Sequence, residues 1–285
     1  MLQDLTFGKL ENEFRNALPS DDDFVVCIRD GGILLARDAE GKLHFPTCAQ
    51  MHAWSRDWRH WQGERLRYVF RMQEHNFFLW MGEGGDCPDG FSYENARQLR
   101  ELRSKDACFG AMTAWHLYHW YRNNRFCGRC GNPTHHDDKE RMVRCGKCGN
   151  LIFPRISPAV IVAVTDGDRL LLSKYAGRGY TRYALLAGYT EIGETIEETV
   201  QREVMEEVGL KVKNLRYYKS QPWGVDGNVL MGFYCDLDGD DTIHLDETEL
   251  ALAQWHHRSA LPAHDDGISL TREMIRVFEE GREPK

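Results

Sequence analysis

The sequence predicts an α+β protein whose C-terminal half is a mixed sheet flanked by helices. Three observations lead to this prediction. Short apolar segments of strand length precede and follow a segment with helical periodicity in the C-terminal half. Two Cys-x-x-Cys pairs lie near the middle of the chain, and a Gly-Gly turn separates two short apolar segments near its beginning. We therefore expect a small cysteine-bearing module between two α+β regions.

Each element follows from its own local pattern. Before the cysteines we predict strands at Asp23–Arg29, Gly32–Ala36 and Phe77–Met81. Aromatic-rich helices are predicted at Glu94–Cys108 and Ala111–Asn123. After the cysteines we predict strands at Ala159–Val164, Arg169–Ser173, Tyr183–Ala187, Leu215–Gln221, Val229–Asp236 and Leu250–Trp255. Helices are predicted from Thr195 to Val208 and near Ser269–Glu280.

The composition is that of an ordinary globular protein. The 285 residues are 42% hydrophobic and 28% charged, which argues against wholesale disorder. A net charge of −8 argues against a general nucleic-acid binder, whose surface is normally basic. No apolar segment approaches transmembrane length, and the segment from Met1 to Pro19 is too polar for a signal peptide. We therefore expect a cytoplasmic location.

Four of the nine cysteines form a recognisable metal-binding pattern. Cys127 and Cys130 make one Cys-x-x-Cys pair, and Cys145 and Cys148 make a second after fourteen residues. Paired knuckles of this kind are typical of a structural four-cysteine zinc ribbon holding one zinc ion per chain. Disulfides are the alternative, but a cytoplasmic setting keeps thiols reduced, and a rubredoxin-like iron site is a second alternative. His135 and His136, between the pairs, are expected to be solvated loop residues.

The predicted helix from Thr195 to Val208 carries a dense group of carboxylates. Apolar residues recur every four positions along it, and Gly209 supplies a stop signal. Glu203, Glu206 and Glu207 stand at i, i+3 and i+4, so their carboxylates meet on one side of the helix. Such a group is tolerable in water or around a bound cation, and oxygen ligands suit Mg²⁺ or Mn²⁺. The alternative is a solvated acidic face.

The residues around this helix fill every fixed position of a known signature. The pattern is Gly188, five residues, Glu194, seven residues, Arg202-Glu203-Val204, one residue, Glu206-Glu207, one residue and Gly209-Leu210. The segment resembles the Nudix box, so the resemblance implies a Nudix fold and metal-dependent hydrolysis of a nucleoside diphosphate linked to another moiety. Arg202 is expected to orient a glutamate through an ion pair.

The order of an N-terminal domain, a four-cysteine ribbon and a Nudix domain, with Ser-Gln-Pro-Trp at 220–223, resembles the NADH pyrophosphatase (NAD⁺ diphosphatase) family. The resemblance implies cleavage of NADH or NAD⁺ to (reduced) nicotinamide mononucleotide and AMP, and a homodimer. It implies domains at 1–124 (N-terminal α+β), 125–153 (zinc ribbon) and 154–285 (Nudix). It places the Mg²⁺ or Mn²⁺ ligands at Ala187, Glu203, Glu207 and Glu249. The implied catalytic residues are Arg202, Glu203, Glu206 and Glu207.

The same resemblance suggests which residues contact the substrate. Tyr189 and Phe153 are expected to stack on a substrate base, each standing where the family carries an aromatic ring. The remaining candidate contacts are Arg97, Gln221, Pro222, Trp223, Asn228 and Thr271.

One departure from the family pattern follows Trp223. The family continues Pro-Phe-Pro-x-Ser, whereas this chain continues Gly224-Val225-Asp226-Gly227-Asn228. We expect the glycines to loosen the loop and Asn228 to replace the hydrogen bonding of the absent serine. The alternative to NADH specificity is therefore a broader Nudix pyrophosphatase acting on ADP-ribose, FAD or dinucleoside polyphosphates.

A second class of hypothesis is nucleic-acid binding. Arginine and lysine make the ribbon region locally basic, at Arg122, Arg125, Arg129, Arg141, Arg144 and Lys147. This is consistent with removal of NAD caps from RNA 5′ ends, an activity associated with the family, or with a zinc-ribbon nucleotide- or RNA-binding regulator. A solvated ribbon surface is the alternative interpretation of the charges, and the intact glutamate cluster argues against a regulator without activity.

Overall fold

The computed structural model describes residues 1–6, 9–37, 39, 43–54, 65–82, 87, 89–95, 104–177, 181–262 and 267–285. The chain divides into two compact units. One contains Leu2–Arg155 together with Gly224–Gly227, and the other contains Met1, Ile156–Trp223 and Asn228–Lys285. Arg97, a candidate substrate contact, lies outside the described residues. Among the described residues, no helix has the length and apolar character needed to cross a membrane.

The first unit contains a sheet with strand order β3-β2-β1-β5-β4, in which β6 pairs with β2. Its elements are β1 (Phe24–Arg29), β2 (Gly32–Arg37), β3 (Leu43–His44), α1 (Cys48–Trp54), β4 (Leu66–Met72), β5 (His75–Trp80), β6 (Phe91–Asn95) and α2 (Lys105–Asn123). The β1–β2 hairpin turns at Asp30 and Gly31, which have φ of 49° and 81°. Two consecutive positive φ values fit the tight hairpin turn whose twist matches the strands.

Helix α2 differs from the sequence prediction. We predicted helices at Glu94–Cys108 and Ala111–Asn123, but α2 runs without interruption from Lys105 to Asn123, with Ser104 as its N-cap. Glu94 is wrong as a helical residue, because it pairs with Ile33 of β2 at the end of β6. Gly110 lies inside the helix, where a Cβ atom would be 3.2 Å from Met72 Cε, so the glycine permits close packing against β4.

The ribbon is a three-stranded antiparallel sheet within the same unit. Its strands are β7 (Thr134–His136), β8 (Val143–Cys145) and β9 (Leu151–Ile152), in the order β7-β8-β9. The prediction that His135 and His136 are solvated loop residues is wrong in part: both lie in strand β7, where His135 is exposed but His136 is not. Its ring is half-buried in β7, stacks on Tyr121 and lies 3.0 Å from the Tyr121 hydroxyl through Nε2.

The second unit contains a mixed sheet with strand order β13-β14-β10-β11-β15, in which β12 pairs with β10. Its elements are β10 (Ser157–Asp166), β11 (Arg169–Tyr175), β12 (Leu186–Tyr189), α3 (Ile196–Val208), β13 (Val212–Trp223), β14 (Asn228–Leu237), β15 (Leu250–His257) and α4 (Leu270–Glu279). Strand β10 runs parallel to β14 and antiparallel to β11 and β12.

Alternation along β10 explains the layered core of this unit. Val160, Val162 and Val164 pack in one cluster with the apolar face of α3. Ile161 and Ala163 point to the other face and pack in a second cluster with α4. Successive residues of a strand face opposite sides, so one fully apolar strand can serve both helices. The predicted α+β class, a mixed sheet flanked by helices, is confirmed.

Candidate active site and zinc ribbon

Helix α3 is fixed at both ends by its own sequence. Thr195 is the N-cap and forms a reciprocal capping box with Glu198. Gly209 ends the helix with φ of 69°, a left-handed conformation that glycine adopts at little cost. Val200, Val204 and Val208 are fully buried, so the opposite side of the helix presents the carboxylates in a fixed orientation.

Arg202 connects the carboxylates of this region. Its Nη1 atom donates to Glu203 Oε1 at 2.8 Å and to Glu206 Oε2 at 2.7 Å. Its Nη2 atom donates to Glu194 Oε2 at 3.0 Å and to the carbonyl oxygen of Tyr189 at 2.8 Å. A guanidinium offers five donors in a rigid fork, so a single side chain can hold several acceptors in one arrangement. Arg202 therefore forms ion pairs with Glu194, Glu203 and Glu206, and its role in orienting a glutamate stays a prediction.

The electrostatics of this network are uneven. Hydrogen bonds from Arg202, together with the backbone amide of Glu191, lower the pKa of Glu194 to about 2. Burial raises the pKa of Glu203; Arg202 opposes this effect, and the charges of Glu206 and Glu249 add to it. Glu203 therefore faces two further carboxylates, and a cation at this position would relieve their repulsion.

Gly188 leaves the space that the Glu203 carboxylate occupies. A Cβ atom built on Gly188 would lie 1.9–2.1 Å from the Glu203 carboxylate atoms. Gly188 pairs with Val160 in the β12–β10 ladder, so its backbone cannot withdraw easily. The glycine is needed here because it lets the Glu203 carboxylate approach β12 closely.

The structure shows the surroundings of the predicted metal ligands. Glu203 and Glu207 are 8% and 2% exposed, Glu206 and Glu249 are exposed, and Ala187 lies within β12. In the part of the chain described, however, only the four cysteines form a group whose ligand atoms all lie within 4.8 Å of one another. The glutamates supply the hard oxygen donors that Mg²⁺ and Mn²⁺ prefer, in a looser arrangement.

Two of the candidate substrate contacts are brought together. Tyr189 ends β12 with its ring 51% exposed, and Asn228 begins β14 at 7% exposure. Asn228 Nδ2 donates to the Tyr189 hydroxyl at 3.3 Å, while Asn228 Oδ1 is buried and has no hydrogen-bond partner. A buried amide oxygen left without a donor is unfavourable. Phe153, which belongs to the other unit, is 52% exposed.

Gln221 has a different environment. It is fully buried, its Nε2 donates to the carbonyl of Ile268 at 2.7 Å, and its Oε1 accepts from the amide of Leu270 at 2.8 Å. Both ends of the side chain therefore hold the backbone at the start of α4, where Thr271 lies half-buried. Gln221 positions this segment. Of its neighbours, Trp223 is 6% exposed and Pro222 is exposed.

The Gly224–Gly227 turn differs from the loose loop expected from its glycines. The amide of Gly227 donates to the carbonyl of Gly224 at 3.3 Å, and Gly227 has φ of 69°. A Cβ atom on Gly224 would lie 2.2 Å from the carbonyl oxygen of Met112 in α2. Gly224 thus permits close packing and Gly227 permits a positive φ. Both glycines are required by the local structure and do not make the turn flexible.

His116 is a residue that sequence reasoning missed. Its Nε2 atom lies 2.7 Å from the carbonyl oxygen of Arg155, and the same atom lies 3.3 Å from the position of a Cβ on Gly227. Met112 and His116 stand at i and i+4 on α2, so one face of that helix meets the turn. The spacing was visible in the sequence, but nothing in it indicated which turn this face contacts.

The four ribbon cysteines form no disulfides, and their sulfur atoms all lie within 4.8 Å of one another. Their sulfur atoms lie 3.5–3.6 Å apart in three measured pairs, too far for disulfides. Ligands 2.3 Å from a tetrahedral zinc would lie about 3.8 Å apart, so the donors fit the ion. Burial would raise the pKa of Cys127, but backbone amides of Arg129 and Cys130 help lower it to about 6.

Each Cys-x-x-Cys pair is built by the same backbone turn. The amide of Gly131 donates to the carbonyl of Cys127 at 2.8 Å, and the amide of Gly149 donates to that of Cys145 at 3.0 Å. Both glycines have φ of 71°. This repetition explains why the cysteine spacing alone was sufficient to predict the site.

The mixed sheet, with its carboxylate helix following β12, defines a Nudix-type hydrolase domain. The sequence profile described as the NUDIX domain matches residues 155–278, and that of the NADH pyrophosphatase zinc ribbon domain matches residues 122–153. The chain therefore belongs to the NADH pyrophosphatase family of the Nudix hydrolases, as the sequence predicted.

Curated relatives span most of the chain. It is 35% identical over 198 residues to the NAD-capped RNA hydrolase NudC of Erwinia tasmaniensis, covering 69% of this chain and 76% of the relative. It is 33% identical over 249 residues to the protein of that name from Pseudomonas aeruginosa, covering 87% and 84%. A solved Nudix hydrolase from Nitrosomonas europaea aligns with a TM-score of 0.48 at 23% identity, covering 55% and 91%.

Proposed function

We propose that this chain hydrolyses the diphosphate bond of NADH and NAD⁺, releasing (reduced) nicotinamide mononucleotide and AMP. The observation that carries the proposal is the Arg202 network, which holds Glu203 against Gly188 one residue from the exposed ring of Tyr189. Arg202 joins the buried carboxylate to the backbone of Tyr189, because its Nη2 atom donates to the Tyr189 carbonyl oxygen at 2.8 Å, and the exposed ring of Tyr189 offers a surface for stacking a base.

A divalent cation, Mg²⁺ or Mn²⁺, is part of this proposal. Glu203, Glu207 and Glu249, with the carbonyl oxygen of Ala187, would hold it. When bound, such an ion neutralises charge on the diphosphate and lowers the pKa of a coordinated water. The chemistry of the donors supports the fit, since buried carboxylate oxygens close to further carboxylates suit a hard divalent cation.

The chain's own residues would orient the reactants. Arg202 fixes Glu203 and Glu206 relative to each other, and Glu194 fixes Arg202. Tyr189 presents its ring for stacking, and its hydroxyl is oriented by Asn228. Phe153 is the second proposed stacking ring.

Removal of NAD caps from RNA is included in the proposed activity. Support comes from the relatives, which are named NAD-capped RNA hydrolases. The charges of the ribbon support it less than the sequence suggested. Arg144 forms an ion pair with Asp137 at 3.6 Å, and Arg141 is turned inward, donating to backbone carbonyls of Asn12 and Val69. A homodimer, a cytoplasmic location and the domain limits at 124 and 153 also remain proposals.

Product analysis tests the activity directly. The full-length protein would be incubated with NADH, NAD⁺, ADP-ribose, FAD or diadenosine polyphosphates, each with Mg²⁺ or Mn²⁺, and the products identified by mass. We expect AMP and reduced nicotinamide mononucleotide from NADH, with Glu203→Gln as the inactive control. Faster turnover of ADP-ribose or FAD than of NADH would replace this proposal with a broader pyrophosphatase. No hydrolysis of any of these compounds would favour a binding protein.

To distinguish catalysis from RNA binding alone, the protein would be tested with an NAD-capped RNA and with the same RNA carrying a 5′-monophosphate. Cap removal should yield the monophosphate RNA and nicotinamide mononucleotide. Binding of both RNAs that weakens steeply with salt, without cap removal, would indicate phosphate contacts alone.

A further inference from the structure

One side chain of helix α2 contacts the two points at which the chain approaches neighbouring strands of the mixed sheet. His116 is half-buried, and its Nε2 atom lies 2.7 Å from the carbonyl oxygen of Arg155. A carbonyl oxygen can only accept, so Nε2 carries a proton and donates this hydrogen bond. The same nitrogen would lie 3.3 Å from a Cβ atom on Gly227, so the imidazole borders the Gly227 backbone. All three residues belong to the first compact unit.

Arg155 and Gly227 lie just before two strands that run side by side. Strand β10 begins at Ser157 and β14 begins at Asn228, and these two residues are register partners in the parallel β10–β14 ladder. Parallel strands are not joined by a tight turn, and strand ends open more readily than strand interiors. A side chain that holds the residues before both starts therefore aligns them where no local turn does.

Helix α2 also holds the other end of the Gly224–Gly227 turn. A Cβ atom on Gly224 would lie 2.2 Å from the carbonyl oxygen of Met112, which is one helical turn before His116. The Met112 contact is made by the backbone, so it persists when His116 is replaced. Loss of the His116 side chain should therefore loosen the end of the turn next to β14 while the protein stays folded.

The strand starts carry two of the candidate substrate contacts. Asn228 is the first residue of β14, and its Nδ2 atom donates to the Tyr189 hydroxyl at 3.3 Å. Tyr189 ends β12, where it is the register partner of Ala159 near the start of β10. A displacement of either strand start would therefore change the position of the Tyr189 ring relative to Asn228.

We propose that His116 is a positioning residue for substrate binding, which aligns the starts of β10 and β14 and thereby orients Tyr189 and Asn228. This role rests on the proposed function, in which the Tyr189 ring stacks on a base of the substrate. The carboxylates of α3 are held separately, by Arg202 and by the buried apolar face of that helix. Loss of His116 should therefore weaken substrate binding more than it slows the chemical step.

The first test measures hydrogen–deuterium exchange of the full-length protein without substrate. His116→Ala should raise exchange in residues 156–159, 188–190 and 227–230 and leave residues 200–208 of α3 unchanged. His116→Gln, whose amide can donate to the Arg155 carbonyl, should restore most of the protection. His135→Ala, at an exposed histidine of the same unit, is the matched control.

The second test measures the kinetics of NADH hydrolysis. His116→Ala should raise KM roughly tenfold and change kcat by no more than about twofold, because one hydrogen bond that orders the binding surface is lost. His116→Gln and His135→Ala should stay close to the native values. If the native chain hydrolyses no dinucleotide, the proposed function fails and the substrate role of His116 fails with it. The exchange measurement still decides whether His116 holds the strand starts.

Two results with an active native enzyme would overturn the positioning role. Unchanged exchange in residues 156–159 and 227–230 of His116→Ala would show that His116 does not hold the strand starts. Raised exchange with an unchanged KM, or a fall in kcat as large as the rise in KM, would show that it does not act through substrate binding. If His116→Ala melts far below the native chain, His116→Phe gives the comparison instead, since it keeps a ring and removes the donor.

Discussion

The ribbon and helix α3 each bring several acidic side chains together, cysteines in the first and glutamates in the second, but the two regions hold these side chains in different ways. The four ribbon sulfurs lie within 4.8 Å of one another, gathered by two copies of one backbone turn. The glutamates of α3 are spaced more widely and are held by the guanidinium of Arg202. The first arrangement leaves no ligand position open, whereas the second leaves carboxylate oxygens that a substrate-bound ion can use.

Because of this difference, we expect only one of the two sites to depend on metal for folding. In the ribbon, thiolates surround a space that only a cation can occupy, so metal affinity and ribbon stability are coupled. In α3, the guanidinium of Arg202 already balances part of the negative charge. The apolar face of the helix is buried in the core and does not depend on a bound metal. We therefore expect metal removal to unfold the ribbon while leaving α3 folded but inactive.

The largest expected effect is on turnover. Glu203→Gln keeps the shape of the side chain but removes the charge that would bind the metal. We expect a loss of about a hundredfold or more in kcat, with an unchanged melting temperature. Glu197→Gln, at an exposed position of the same helix, is the matched control and should retain activity. Near-normal kcat of Glu203→Gln at saturating Mg²⁺ or Mn²⁺ would remove Glu203 from the metal site.

The second effect is on the zinc content of the protein, which depends on the ribbon cysteines alone. Fresh protein should contain one zinc per chain, and Cys145→Ser should lose it and melt at lower temperature, because three ligands hold zinc poorly. Cys87→Ser, at an exposed cysteine, should keep both zinc and stability. Iron in place of zinc, or a Cys145→Ser protein with full zinc content, would contradict the ribbon assignment.

A third effect concerns the turn that follows Trp223. Gly224→Ala should destabilise the protein by about 1–3 kcal/mol, because the new methyl group would overlap the Met112 carbonyl. Gly128→Ala is a suitable control, since its Cβ would meet nothing within 4 Å. Introducing Pro-Phe-Pro at 224–226 should likewise reduce stability rather than raise NADH selectivity. An equal melting temperature for Gly224→Ala and the native chain would show that α2 and the turn separate readily.

The turn also shows where sequence reasoning reached its limit. Repeated local patterns were sufficient for the ribbon and for α3, because each is specified by neighbouring residues. Gly224 was interpreted as a source of loop flexibility, because a sequence cannot show that the carbonyl of a residue 112 positions earlier in the chain lies against it. Gln221 was interpreted as a substrate contact for the same reason, because its partners Ile268 and Leu270 are distant along the chain. Local sequence patterns therefore could not predict the contacts that arise from tertiary packing.

The smallest expected effect concerns the ion pair that holds Arg202. Glu194 has an ordinary pKa of 4.5, and in the folded chain Arg202 and the amide of Glu191 lower it to about 2. A carboxylate whose pKa is lower in the folded state stabilises the fold above its unfolded pKa. That contribution decreases as the pH falls from about 4.5 and is lost below about 2. Because both side chains keep partial exposure to solvent, 26% for Arg202 and 19% for Glu194, the effect on stability is modest.

Glu194→Gln should therefore melt slightly below the native chain at neutral pH, and the difference should decrease as the pH falls below about 4.5. Acid also releases zinc by protonating the cysteines, but both proteins share that loss, so the difference between them isolates the carboxylate. Glu191→Gln, whose exposed side chain is not in the network, should match the native chain throughout. A difference that stays constant down to pH values near 2 would mean that Glu194 contributes through packing, leaving Glu203 and Glu206 to hold Arg202.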